Sequence, residues 1–221
     1  MIRRDYLLRL IEEFMQALAR IRSLKSGQRW KEASGELDSE FQRLIGDGSQ
    51  AVARLSETAL LVRLMHNGPT HLVRDKTLML TALLTEAGEV AAEEKRGEES
   101  RECYLKALHL LLDVLGRGEV FEWPEFVPKV EMLVAALQSA PLAIRSAALL
   151  MQHYERTGEF AKAEDALFAT LDAEPDNQAI VEFGITFYER LRSQSDAALN
   201  AANLPRAEVE DGLKKLQARS W

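Results

Sequence analysis

Apolar residues return every three or four positions along almost the whole chain. Leu7, Leu10, Ile11, Phe14, Leu18 and Ile21 make one stripe, which predicts a helix over about 3–24. Trp30, Ala33, Leu37, Phe41 and Leu44 make the next, over about 29–45. Gly27 stops the first helix, and Gly46-Asp47-Gly48 stops the second. Ser49 is placed to cap a third helix that runs to about His66, before the break at Asn67-Gly68-Pro69. Thr70 is placed to cap a fourth, reaching about Glu94, and Gly97 separates it from a fifth over about 98–115. Gly116 and Gly118 then open a loop containing Phe121-Glu122-Trp123-Pro124. Proline suits only the first turn of a helix, so Pro128 predicts a late or irregular start to the sixth.

Pro141 ends that helix and opens the seventh. The seventh and eighth are two short antiparallel helices over 143–175, joined at Gly158 and closed by Pro175. Asp176 or Asn177 caps a ninth over about 178–192, whose apolar residues wrap more than one face, as in a helix buried between neighbours. A polar stretch over 193–203 has room for a short helical piece, and Pro205 begins a last amphipathic helix with Val209, Leu213 and Leu216 facing inward. β-branched residues nowhere alternate, so no strand is predicted. The expectation is an all-α chain of about ten helices.

The pair over 143–175 is the clearest repeat. Ala147, Leu150, Met151 and Tyr154 line its first helix, Gly158 and Phe160 make the turn, and Ala163 and Leu167 line the second. That order of small residue, leucine, tyrosine, glycine turn, aromatic, alanine, large apolar residue and proline resembles the tetratricopeptide repeat, a helical hairpin of about 34 residues. Met151 and Thr170 depart from it, where the family usually has small residues. A second copy over about 81–115 sets Leu84, Ala87, Gly88, Ser100, Tyr104 and Ala107 at matching positions, without the closing proline. A third, over 14–45, rests on Trp30, Ala33 and Leu37. The resemblance implies an irregular α-α superhelix, a single domain over 1–221. Its hairpins fall at about 3–45, 74–115 and 143–175, and helices over about 178–219 cap the end. The opening M-I-R-R-D-Y-L-L-R-L-I-E, with Y-E-R-T-G-E-F-A-K-A-E later, also looks like an uncharacterised bacterial family of repeat-like helical proteins. That family carries no assigned activity.

Composition supports the helical reading and adds an asymmetry. Hydrophobic residues make up 47 % and charged residues 29 % of 221 residues, enough to bury a core. The net charge is −7, yet residues 1–31 hold eight Lys and Arg against three acids, a surplus of five that leaves −12 for the rest. Such a basic end meets either solvent, an anionic partner or the acidic body of a second copy. The single Cys103 excludes an internal disulfide and suits a reducing compartment. Arg9, Glu12 and Glu13 interrupt the N-terminal apolar run, which does not read as a signal peptide, and no run approaches the length that spans a bilayer. A cytoplasmic protein is expected.

Candidate chemistry is sparse. His66 and His71 flank the Asn67-Gly68-Pro69 turn, with Asp75 one helical turn beyond, but a metal site needs three or four such groups converging. His109 and His153 stand alone beside apolar positions, and Cys103 has no base near it in sequence, so packing roles are expected for all three. No nucleophile elbow, phosphate loop, dinucleotide glycine fingerprint or zinc-protease motif occurs. Neither a cofactor nor catalysis is expected. The acidic body disfavours nucleic acid. The expected function is a non-catalytic scaffold for a protein or peptide. By the resemblance, its groove falls at Arg145, Ala148, Gln152 and Arg156 in the clearest repeat and at Thr85, Glu89 and Glu93 in the second. A homodimer formed through the basic N-terminal helix, and an enzyme or metal site between His66 and Asp75, are the alternatives.

Overall fold

A computed structural model describes residues 2–66, 72–118, 123–137 and 142–219, with side chains from Leu7 onward. Twelve helices and no strand occur among these residues. Contacts divide the chain into two compact units, Met1–Gln138 and Ser139–Trp221.

The first unit begins with two antiparallel helices, α1 (Ile2–Ser26) and α2 (Trp30–Ile45), and two short helices, α3 (Ser49–Arg54) and α4 (Glu57–His66). The apolar stripes do the joining: Phe14, Leu18 and Ile21 of α1 and Leu37 and Phe41 of α2 are all buried. The next pair, α5 (Val73–Glu93) and α6 (Gly97–Gly116), is in contact over much of its length. Gly88 lets this happen, because a methyl group there would stand 3.0 Å from the Tyr104 ring. α5 is buried nearly all round. Its threonines survive there because each hydroxyl donates to the carbonyl four residues back: Thr77 to Val73, Thr81 to Thr77, Thr85 to Thr81. α7 (Val130–Leu137) closes the unit, with Phe126 ahead of it packed edge-on against Phe14 at 5.0 Å.

In the second unit α8 (Ile144–Thr157) and α9 (Phe160–Ala173) form one antiparallel pair. α10 (Gln178–Arg192), α11 (Asp196–Ala201) and α12 (Arg206–Gln217) follow. Glycine again sets the spacing. A methyl group on Gly212 of α12 would meet the Tyr188 ring of α10 at 2.3 Å. Tyr188 donates its hydroxyl to Glu164 at 2.5 Å, tying α10 to α9. Burial holds the Glu164 carboxyl above its usual range in spite of that bond.

Three turns share one geometry. Gln28, Lys95 and Gly158 all take left-handed φ, at 56°, 60° and 76°. In each, the left-handed residue's N–H bonds back three residues and the next N–H bonds back five. Arg29 thus donates to Leu24, Arg96 to Ala91 and Glu159 to Tyr154. This double closure satisfies the carbonyls that a helix end leaves open. Each left-handed residue lies five positions before Ala33, Ser100 or Ala163, so the three hairpins turn at one register. Asn203 repeats the pattern between α11 and α12.

Several boundaries differ from the sequence expectation. The helix expected over 49–66 is two, split at Leu55 and Ser56, where the hydroxyl of Ser56 accepts from Ala59 N–H. Ser49 does not cap its helix, being its first residue. The cap comes from Asp38 of α2, whose carboxylate accepts from Ser49 N–H at 2.7 Å. Gly48 makes room for that carboxylate, since a methyl group there would stand 2.6 Å from it. Gly97 is not the turn residue but the first residue of α6. The Asn67-Gly68-Pro69 break, the Thr70 cap, the Phe121-Glu122 part of the loop and Pro141 lie outside the described residues. Asn177 caps α10 as its side chain predicts, accepting from Ala179 N–H.

Candidate functional site

Three of the residues expected in a groove share one face of α8. Arg145, Gln152 and Arg156 recur at seven and four positions, and all three are exposed. The Arg156 Nε donates to the carbonyl of Gln152 at 3.1 Å, which lays the guanidinium along the helix. The other charge at this end, Glu155, is taken up by Arg190 of α10 through two bonds of 2.7 Å. The stripe on α8 thus presents two exposed guanidinium groups, Arg145 and Arg156.

Beside it opens an apolar cleft of about 110 Å³ between α8, α9 and α10. Ala148 and Met151 supply the α8 wall, Thr170 the α9 wall, and Ile180 and Phe183 the α10 wall, with Ile144 at the mouth. Ile144 is 38 % exposed and Phe183 half-buried. Sequence reasoning reached Ala148 but assigned the α10 side chains to the core. The available signal was the surplus of apolar residues on α10, more than one buried face requires.

In the first unit Glu89 is half-buried and bonded by the Lys25 ammonium, which also bonds Glu86. Thr85 does not face an open groove: it is buried, with its hydroxyl committed to Thr81. Glu93 is exposed. The basic surplus of the first helices is partly spent inside the unit. Arg22 and Lys25 hold the buried Glu86, Arg20 pairs with Glu36 and Arg29 with Glu32. That charge is engaged within the chain itself, which is where the sequence asymmetry of a basic end and an acidic body is in this part resolved.

The remaining candidates fall as follows. His71 lies outside the described residues, and Asp75 accepts from the neighbouring Arg74 at 3.2 Å. Among the described residues no three His, Cys, Asp or Glu side chains converge as metal ligands. Cys103 is buried, and burial with the adjacent Glu99 pushes its thiol up to about 11, far from a thiolate nucleophile. His109 is buried, and the His153 ring leans on Tyr154 at 5.7 Å. No described helix is long and apolar enough to cross a membrane.

The sequence model of a family of unknown function (DUF6483) matches residues 1–220. The chain belongs to this family. No tetratricopeptide family is indicated by the match. No curated protein and no solved structure matches the chain. Membership in DUF6483 fits the resemblance to a helical family without assigned activity, and it leaves the functional reading to the surface just described.

Proposed function

We propose that this DUF6483 chain is a non-catalytic, tetratricopeptide-like scaffold whose second unit binds an acidic segment of another protein along α8. One observation carries the reading: an apolar cleft opens beside an exposed stripe with two guanidinium groups on the same helix. The cleft, at about 110 Å³, is well below the roughly 300 Å³ at which small-molecule pockets begin. Its size suits a single apolar side chain of a bound segment. On the adjoining face of α8, Arg145 and Arg156 carry guanidinium groups that suit carboxylates, and Gln152 offers both a donor and an acceptor to a peptide backbone. Charge chooses the partner and the apolar anchor supplies much of the affinity.

Fluorescence anisotropy with three labelled peptides tests this. The first is rich in Asp and Glu around a central Leu, the second has Lys in place of the acids, and the third has Ser in place of the Leu. The expected result is binding of the first alone, weakened by added salt. The double substitution Arg145→Glu and Arg156→Glu is expected to weaken it about tenfold or more, or about 1.4 kcal/mol. Equal binding of the basic peptide, or no change in the double variant, would remove the proposal.

A further inference from the structure

The apolar stripe of α1 is fully buried at Phe14, Leu18 and Ile21 but only half-buried at Leu7, Leu10 and Ile11. Length explains the difference. α1 has 25 residues and α2, which pairs with it from the turn at Gln28, has 16. About nine residues of α1, or roughly 13 Å at about 1.5 Å each, therefore have no counterpart on α2. Beside the stripe, Leu8 is 50 % and Met15 37 % exposed. They stand two turns apart on one side of the helix.

The same side carries opposite charges in a fixed order. Arg4, Leu8 and Glu12 recur at steps of four, so their positions stand one above another along α1. Leu8 and Glu12 of that row lie at the surface. Nearby charges are engaged within the chain: Glu13 lies 3.3 Å from Arg43 of α2, Arg20 pairs with Glu36, and Arg22 and Lys25 pair with Glu86.

Read backwards, the row keeps its order with the charges inverted. When two such helices lie antiparallel and cross at Leu8, position 4 of each stands opposite position 12 of the other. An arginine then meets a glutamate twice, with Leu8 against Leu8 between them. That is the self-complementary contact of a two-fold axis, in which each patch matches itself. A parallel pair would instead set arginine on arginine and glutamate on glutamate. A second copy of the chain thus fits this face both in its apolar centre and in its charge.

We infer that α1 is a self-association surface, on which two copies of the chain pair antiparallel about Leu8. α1 supplies both signs of charge, so the acidic body takes no part. The contact is small beside the roughly 1,200–2,000 Å² of stable interfaces, and a weak dimer with a Kd of about 10–100 μM is expected. The pairing lies on a different helix from the α8 surface, and its failure leaves that reading untouched.

Sedimentation equilibrium of the full chain tests it over about 5–500 μM, a range that brackets this Kd. The mass is expected to rise from 24.9 kDa toward twice that value. Leu8→Glu, at an exposed position, is expected to keep the helical circular dichroism and weaken association about tenfold or more. Arg4→Glu alone and Glu12→Arg alone each set like charges opposite one another, and each is expected to weaken it. An equal mixture of those two variants has opposite charges at every facing position, so a heterodimer is expected that is tighter than either variant with itself. Such recovery is specific to α1 packed on α1. A chain that stays at 24.9 kDa throughout would overturn the inference. So would a dimer that Leu8→Glu leaves as tight, or a mixture no tighter than its components. A monomer that binds phosphatidylglycerol vesicles, with binding lost in Leu8→Glu, would give the face to a membrane surface instead.

Discussion

Left-handed backbone is easy for glycine and costs other residues about 1–2 kcal/mol, because Cβ crowds the following carbonyl. Gln28 and Lys95 bear that cost at the turns of the first two helix pairs, while Gly158 avoids it at the third. The hydrogen bonds are the same in all three, so only the residue differs. Replacing Gln28 or Lys95 by glycine is therefore expected to stabilise the chain by up to about 1 kcal/mol, less than the full strain because glycine also loosens the unfolded chain. Gly158→Ala is expected to cost about 1 kcal/mol. Urea unfolding of the three variants checks this. The opposite signs matter most: a destabilising Lys95→Gly would mean that its side chain contributes more than its backbone loses.

At the scale of elements, each long helix follows from a repeating stripe and a stop, and both are written in the sequence. Phe14, Leu18 and Ile21 recur and are buried, and Gly46 and Gly158 end their helices with positive φ. The turn at Lys95 was not legible, because glycine draws attention to 97 while the strain falls two residues earlier. The division of 49–66 was hidden for a different reason. α3 owes its ends to Asp38 and Lys106, residues far off in sequence, and no local pattern reports them. This gives α3 a distinctive vulnerability. Lys106→Met keeps the buried stem but removes the donors to Val52 and Ala53. Losing such a charged hydrogen bond to a carbonyl costs about 1.5–3 kcal/mol. The expected outcome is local: α3 amides lose about tenfold or more of their protection from hydrogen exchange, while α5 amides change little. Uniform loss of protection across both would show that α3 opens only with the whole unit.

At the scale of the molecule, the pattern legible in the sequence is one of hairpins, and it says little about how they group. The periodicity of α8 resembles that of α5, so a reading from repeats expects one domain over 1–221; contacts gather the chain into two compact units, Met1–Gln138 and Ser139–Trp221, and cooperative unfolding is what tests that expectation. The same limit applied to the sites. The resemblance to the repeat names Arg145 and Arg156 on one helix, but the cleft beside them needs three helices. Grouping is a question about cooperativity, and the second unit has the means to fold alone. Phe187, Tyr188, Leu191, Leu199, Leu213 and Leu216 are buried, and Gly212 lets α12 close on α10. Cross-links within it join Glu164 to Tyr188, Glu155 to Arg190, and Arg206 to the carbonyls of Arg192 and Gln194. A fragment of residues 139–221 is therefore expected to be helical by circular dichroism and to unfold cooperatively in urea. A segment of this size is within the range that folds alone, though with a modest margin. If it does, the full chain unfolds in two steps, and the α8 surface keeps its peptide affinity in the fragment. A fragment that is unfolded, while the full chain melts in a single transition, would establish instead one cooperative domain over the whole chain.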